Sequence, residues 1–456
     1  MRSEPTTPAR GPRGSFTGGD LPRHVMRLSG FMIMGFLAMT LAQFVEAVYL
    51  GILGTSAIAA VTFTFPVIMA LGAATRGIGI GTAAVLARAV GGGEQERAAI
   101  LTSHGLLLDL TFNVLCAAAL IAFAEPLFHL LGARGAILDL VVSYISIWAL
   151  GFPLFGLSMV GSGLMRSIGD PVYPGMIIAV GSAAQVLIGP LLIFGWLGFP
   201  ALGVEGAAWA FVLARSVSFL MTAYWFTFKR RMIRASLSGF FASARTILHV
   251  GFPAMATNLI EPLSSAIITR LLASFGTAVV AGFGVAARID AVVFMVVIGI
   301  SSSTTPLVGQ NWGARLFDRV DRALALCYRY CLLWGVIAAT IMWVGGRLFV
   351  SLINDEPEVV ATATTYLYIL PISLGFAGML NVANGAFQAL SKPAPPLVLS
   401  LLRLFVFYVP LALAASQYFG YTGVFAAAAL TNVVLGLWGR AWNRRTIVRE
   451  REKLLT

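Results

Sequence analysis

The chain has 456 residues, of which 58% are hydrophobic and only 11% are charged. Soluble globular proteins carry about 25% charged residues, so the composition excludes that class and predicts a polytopic protein of the lipid bilayer. The net charge of +12 would suggest nucleic-acid binding in a soluble protein, but the basic residues lie in loops and tails, so we expect no nucleic-acid partner.

The first apolar run follows a Pro-, Gly- and Arg-rich stretch, residues 1–24, which is typical of a disordered tail. The run begins near Met26 and is long enough to cross a bilayer as a helix. It is too long for a cleavable signal peptide and has no small-residue cleavage site. Glu46 lies in the outer third of this span, with Gln43 one turn earlier on the same face. A carboxylate inside a span costs roughly 2.5–3.5 kcal/mol on insertion scales and often carries function; the alternative is a snorkelling residue near the outer end.

Twelve membrane spans are predicted along the chain. They cover residues 26–48, 57–87, 98–123, 136–160, 173–196, 204–228, 247–272, 279–308, 323–345, 359–385, 397–416 and 422–440. The tails and one alternating set of loops hold 23 of the 31 Lys and Arg residues, whereas the opposite set of loops holds two, Arg134 and Arg347. The positive-inside rule therefore predicts that both termini lie in the cytoplasm.

A sequence repeat divides the chain into two halves. Residues separated by 222 positions match across more than a hundred residues, as at Gly91 and Gly313 or Pro171 and Pro393. Each half has an even number of spans, so we expect parallel repeats related by an axis along the membrane normal. The predicted fold is an all-α membrane protein with two six-helix lobes. Its parts are a disordered cytoplasmic tail (1–24), an N-lobe (25–228), a cytoplasmic linker (229–246), a C-lobe (247–440) and a basic cytoplasmic tail (441–456).

Four sequence strings resemble the multidrug and toxic compound extrusion (MATE) family. They are VEAVYLG at 45–51, LARAVG at 86–91, GVEGAA at 203–208 and, most specifically, LVGQNWGA at 307–314. The resemblance covers nearly the whole chain after the first tail. It implies a V-shaped pair of six-helix lobes that exports amphipathic, often cationic, compounds against an inward flow of protons or sodium ions.

Two in-span acids are the main candidates for ion coupling. Glu46 takes the position of the family's first-helix aspartate, and Glu261 resembles the seventh-helix glutamate of the NorM branch. Their repeat mates are Ile268 and Met39, so the repeated architecture does not require either acid, which favours a functional role. Asn258 shares a helix face with Glu261. The alternative for Glu261 is a neutral, hydrogen-bonded group in the core.

Further polar residues complete the candidate cleft. Asp109 forms a polar strip with Asn113 on the third span, for which structural and functional roles are equally open. Asn381 and Asn384 share a face of the tenth span, where they line the cleft or bond across helices. Several of the six in-span arginines lie near predicted span ends and are expected to snorkel, whereas a deeper one is a candidate partner of Asp109. These arginines are Arg76, the deeper one, and Arg215, Arg270, Arg288, Arg329 and Arg403.

The chain departs from the family pattern at two acids. The Asn and Asp of the family's fifth helix fall at Gln185 and Gly189, and the tenth-helix aspartate falls near Gly378 or Met379. A sodium site needs several converging oxygen ligands, so we expect proton coupling rather than sodium coupling.

The predicted function is a monomeric inner-membrane antiporter that exports amphipathic or cationic small molecules such as drugs and toxic metabolites. No HExxH, nucleophile elbow or Walker motif occurs, so we expect no enzyme activity, no cofactor and no metal site. Two alternatives are a flippase for lipid-linked precursors from the same superfamily and a receptor or structural membrane protein without transport. The in-span acids and the internal duplication argue against the second alternative.

Overall fold

The computed structural model describes residues 16–234 and 236–455, and within these ranges the chain is built of helices and short turns. Glycines or short turns separate most of the helices, because they end helices readily. Fourteen α-helices follow in order: α1 (Leu21–Leu53), α2 (Thr55–Gly91), α3 (Gln95–Leu130), α4 (Gly135–Ile168), α5 (Tyr173–Ile193), α6 (Gly203–Tyr224), α7 (Phe240–Ala273), α8 (Thr277–Ser302), α9 (Thr304–Gly313), α10 (Phe317–Ser351), α11 (Pro357–Ile369), α12 (Pro371–Ala389), α13 (Ala394–Leu401) and α14 (Val409–Leu455).

The apolar helices correspond to the twelve predicted spans. In the described ranges nine helical segments are long and apolar enough to cross a membrane, or ten when α11 and α12, bent by 53°, count as one. α7 falls outside this set because Asn258 and Glu261 lie in its middle. The segment Ala394–Leu455 counts once, although the backbone breaks at Gly420 (φ 59°, ψ −146°) and divides it into two spans.

Each lobe has its own hydrophobic core. In the lobe formed by α1–α6, the core centres on Trp148 of α4, which stacks on Phe152 and Phe211. In the lobe formed by α7–α14, the corresponding cluster contains Tyr366 and Phe425, whose rings meet edge to face at 5.1 Å. Such aromatic pairs contribute beyond the apolar area that they bury.

The two lobes meet through equivalent helices. α2 packs on α7 and α9, while α8 packs on α1. A Cβ on Gly77 of α2 would lie 2.7 Å from the carbonyl oxygen of Gly251, and one on Gly299 of α8 would lie 2.5 Å from a side-chain carbon of Ile33. Gly77 and Gly299 are 222 residues apart, so small residues allow close helix approach at equivalent places in both lobes. This two-lobed arrangement is the one expected of a parallel repeat.

An N-terminal segment, residues 16–20, packs against the C-lobe before α1 begins. Phe16 is 2% exposed. Its backbone N–H donates to Gln310 Oε1 (2.6 Å), and Arg319 Nη2 donates to the carbonyl oxygens of Phe16 and Gly18 (3.1 Å each). The predicted tail 1–24 therefore differs from the structure at its end, because residues 16–20 find hydrogen-bond partners and α1 starts at Leu21. Residues 1–15 lie outside the described ranges.

The basic C-terminal stretch is also helical. α14 continues to Leu455, and Lys392 Nζ lies 3.1 Å from Glu450 Oε2. Arg451 pairs with Asp318 at the start of α10 (3.3 Å). The N-terminal segment and this end of α14 thus lie on the same side of the bundle, next to α10.

Candidate functional site in the N-lobe

A chain of hydrogen bonds links three polar side chains from three helices of the N-lobe. Glu46 lies on α1, Gln185 on α5 and Arg215 on α6. Gln185 Nε2 donates to Glu46 Oε2 (2.8 Å), and Arg215 Nη2 donates to Gln185 Oε1 (2.7 Å). Because Arg215 is charged, its bond to Gln185 belongs to the stronger class. The Gln185 amide therefore bridges a carboxyl group and a guanidinium group.

Arg215 lies beside two neighbouring aromatic rings, whose centroids are 6.2 Å apart. Its Cζ lies 5.9 Å from the ring centroid of Phe155 and 5.2 Å from that of Phe211, within the range of cation–π attraction. Its Nε is buried without a hydrogen-bond partner. Snorkelling, which is expected for several of the in-span arginines, does not describe this residue, since its guanidinium donates to Gln185. These contacts of Arg215 depend on the packing of α6 on α4 and α5, which the sequence alone does not show.

A small cavity lies beside Glu46. It is lined by Ala42, Glu46, Tyr49, Gln185, Val186, Gly189, Ile193, Ala207 and Ala210. A Cβ on Gly189 would lie 3.1 Å from the Tyr49 ring, and the Tyr49 hydroxyl donates to the carbonyl oxygen of Val186 (3.3 Å). The aromatic ring thus fills the space next to Gly189, where the family pattern has an acid, and no side-chain oxygen comes from position 189. Gln43 is exposed and stands outside this hydrogen-bond chain.

A second pair of charges lies across the two lobes. Arg76 of α2 and Glu261 of α7 are both exposed and interact electrostatically. Arg76 therefore faces Glu261 rather than Asp109, the partner considered from the sequence. The exposure of Glu261 also disagrees with a role as a neutral core group. The neighbouring Asn258 turns inward to its own helix, where its Nδ2 donates to the carbonyl oxygen of Ala254 (2.8 Å).

Asp109 belongs to a separate, fully buried cluster between α2, α3 and α4. Its Oδ1 accepts a hydrogen bond from Asn113 Nδ2 (2.8 Å), and Asn113 Oδ1 accepts one from Thr75 Oγ1 (2.7 Å). Asp109 Oδ2 has no hydrogen-bond partner and faces Gly156, whose added Cβ would lie 3.1 Å from it. The structure therefore does not include Asp109 in the hydrogen-bond chain of Glu46.

The two asparagines of α12 are half-buried in the C-lobe. Asn384 Oδ1 is buried without a hydrogen-bond partner. The carbonyl oxygen of the next residue, Gly385, accepts a bond from Thr305 of α9 (3.2 Å). Asn384, rather than Asn381, thus has a buried acceptor that is left unpaired.

An apolar cavity lies between helices of the two lobes. It lies between α1, α8 and α10 and has Leu37, Val293, Trp334 and Met342 among its lining residues. Ligand pockets typically combine such apolar walls with a few placed polar groups. The chain thus presents an apolar cavity between the lobes and a polar chain inside one of them.

The family model MatE matches residues 32–191 and 253–414. The chain is 33% identical over 408 residues to the FAD transporter of Shewanella oneidensis, covering 89% of this chain and 90% of that protein. It is 24% identical to the multidrug export protein MepA of Staphylococcus saprophyticus, covering 91% of each. The structure also superposes on the Vibrio cholerae MATE transporter VcmN in its bent form, with a TM-score of 0.89, 28% identity and coverage of 94% of this chain and 98% of that one.

These likenesses confirm the predicted fold and the resemblance, and they place the chain among membrane transporters rather than enzymes. Both matched segments of the family model correspond to one lobe each, in keeping with the internal repeat. The chain belongs to the MATE family of multi-pass plasma-membrane transporters.

Proposed function

We propose that the protein is a proton-coupled antiporter that exports amphipathic or cationic small molecules, with both termini in the cytoplasm. The observation that carries the proposal is the Glu46 carboxyl group, which lies inside a membrane span beside a cavity and is held by Gln185 (2.8 Å). A carboxyl group in such a position exchanges one charge each time it gains or loses a proton.

The ligands around Glu46 favour a proton over a sodium ion. Arginine has only hydrogen-bond donors, so Arg215 fixes the oxygen of the Gln185 amide toward itself and the NH₂ group toward Glu46. Position 189 offers a glycine packed on a tyrosine ring. A hard cation needs several oxygen ligands, and these neighbours present a nitrogen donor and an aromatic ring instead.

The transport cycle follows from two conformations with different proton affinity. The lobes are packed together on the side that holds the N-terminal segment, at Gly91 and Gly313. With the termini in the cytoplasm, the contacts close the inner side and give Glu46 access from outside. A proton that arrives there neutralises the carboxylate, weakens its attraction for a cationic substrate and favours release.

The test is efflux from proteoliposomes under an imposed pH gradient or an imposed sodium gradient, each alone, across a panel of dyes and antibiotics. We expect the pH gradient to drive efflux and Glu46→Gln to abolish it while the protein stays folded. Glu125→Gln, at an exposed acid of α3, is the matched control and should transport normally. Efflux driven by sodium with no response to pH would refute proton coupling, and empty vesicles set the background.

Export of a flavin dinucleotide is a second candidate. It is supported by the 33% identity to the Shewanella oneidensis FAD transporter over most of both chains. FAD carries a negatively charged pyrophosphate, and Arg76 is an exposed cation between the lobes. The same proteoliposomes, loaded with FAD, test this candidate, because a pH-driven loss of FAD without efflux of cationic dyes would favour it over multidrug export.

A further inference from the structure

We propose that Arg215 is a built-in cation that prevents sodium from binding at Glu46 and so makes the N-lobe site selective for protons. This inference rests on the proposed function, since it concerns the ion that the transporter couples to. Arg215 reaches Glu46 through the Gln185 amide, by bonds of 2.7 Å and 2.8 Å. The three side chains, from α1, α5 and α6, form one continuous polar chain inside the N-lobe.

The position of the guanidinium group is fixed by its surroundings. The Cζ atom of Arg215 lies 5.9 Å from the ring centroid of Phe155 and 5.2 Å from that of Phe211. Arginine stays charged in proteins and is well suited to stacking against aromatic rings. Arg215 therefore keeps a positive charge next to the acid in both protonation states of Glu46.

The other titratable groups around Glu46 contribute little to the charge of the site. The titratable neighbours that face Glu46 are Tyr144 of α4, which interacts with it electrostatically, and Tyr49 of α1, which lines the same cavity. Both contribute a phenol group rather than a carboxyl or a basic group. The charge of the site is therefore set by Glu46 and Arg215.

Two consequences follow for the ions. With Glu46 ionised, the pair is neutral, so a sodium ion meets an acid whose charge is already balanced and whose Oε2 already accepts the Gln185 N–H bond. With Glu46 protonated, the site carries a net positive charge. Protonation thus turns a neutral site into one that repels a cationic substrate.

The experiment replaces the built-in cation. Purified wild-type protein and Arg215→Gln are heated in sodium chloride or in choline chloride at equal ionic strength, and the Tm is compared. We expect no sodium effect on the wild type and a sodium-dependent rise in Tm of about 2–4 °C for Arg215→Gln, because binding to the folded state alone stabilises it. Arg166→Gln removes another positive charge from an N-lobe span and should behave as the wild type.

Two further variants test whether the sodium-dependent rise in Tm comes from the charge of Arg215 and from Glu46. Arg215→Lys keeps the charge and should stay insensitive to sodium. The double variant with Glu46→Gln should lose the sodium response, because the acid is needed for it. If Arg215→Gln does not fold, Arg215→Met, which keeps an unbranched side chain beside the two phenylalanines, takes its place.

A folded Arg215→Gln protein without a sodium response overturns the inference, and so does a wild-type protein that sodium stabilises. In proteoliposomes, the same variant should gain efflux under a sodium gradient that the wild type lacks. The melting readout does not need transport. Failure of the proposed function, seen as no efflux from the wild type under either gradient, is therefore distinguishable from failure of this inference.

Discussion

Gly91 and Gly313 lie at equivalent positions of the two lobes, 222 residues apart, and each packs on the backbone at the end of the other's helix. A Cβ on Gly91 would overlap the carbonyl oxygen of Gln310, and one on Gly313 would overlap that of Arg88. Arg88 and Gln310 are themselves 222 residues apart. The lobes thus close through one reciprocal backbone contact.

We expect Gly91→Ala to hold the lobes apart on this side. The added methyl group has a rigid backbone atom in its way, so relief requires movement of α2 relative to α9. Spin labels at Gln95 and Leu316, both exposed, should report a longer distance than in the unsubstituted protein. Gly72→Ala is the control on the same helix, because nothing lies within 4 Å of its added Cβ. An unchanged distance distribution for Gly91→Ala would contradict the expectation.

Labelling of single cysteines tests the membrane orientation. In a background without Cys116, Cys327 and Cys331, cysteines at Leu237 and Thr446 should react with an impermeant maleimide only from the cytoplasmic side, because basic segments stay inside. A cysteine at the acidic loop residue Asp355 should react only from outside. Reaction at position 237 from outside would reverse the orientation and with it the direction of transport that we propose.

The cluster around Asp109 predicts a stability effect. Asn113→Ala removes the donor to Asp109 Oδ1 and the acceptor of Thr75 Oγ1, all of them buried. Each buried group left without a partner costs about 1–3 kcal/mol, so we expect a lower Tm for the purified protein. Thr111→Ala, on the exposed face of α3, should leave the Tm nearly unchanged. If Asn113→Ala instead melts normally but loses efflux, Asp109 and Asn113 serve transport rather than stability.

Arg319 is expected to hold the N-terminal segment, residues 16–20, against the C-lobe. It donates to three backbone carbonyl oxygens, those of Phe16, Gly18 and Gly19. Net hydrogen bonds are worth about 0.5–1.5 kcal/mol each, so Arg319→Gln should speed amide hydrogen exchange in residues 16–20 by roughly tenfold or more. Arg322→Gln, one turn further along α10, serves as the comparison. Equal exchange in the two variants would show that burial of Phe16 and its bonds to Gln310 and Asn311 hold the segment without Arg319.

Much of the fold could be predicted from local pattern. Long apolar runs and the alternation of basic loops indicate spans, and the constant shift that links Gly91 to Gly313 indicates two lobes. These features are properties of neighbouring residues or of the chain compared with itself. They need no knowledge of which side chains meet in space.

The candidate site could be predicted only in part. Glu46 stands out because a lone carboxylate in a span is costly. Arg215 does not, because it is one of six in-span arginines, and its contact with Gln185 depends on how α6 packs on α5. The partner of Arg76 is likewise Glu261 in the other lobe, a pairing that no local pattern contains.

The N-terminal segment has a consequence for the order of assembly. Phe16 is synthesised 294 residues before Gln310, to which its N–H donates, and chains are made and folded from the N-terminus. Phe16 therefore waits, without its partners, until α9 and α10 have been inserted. An N-lobe produced alone would leave this phenylalanine uncovered. The contact of residues 16–20 with α9 is therefore among the last to form, although residues 16–20 are synthesised long before α9.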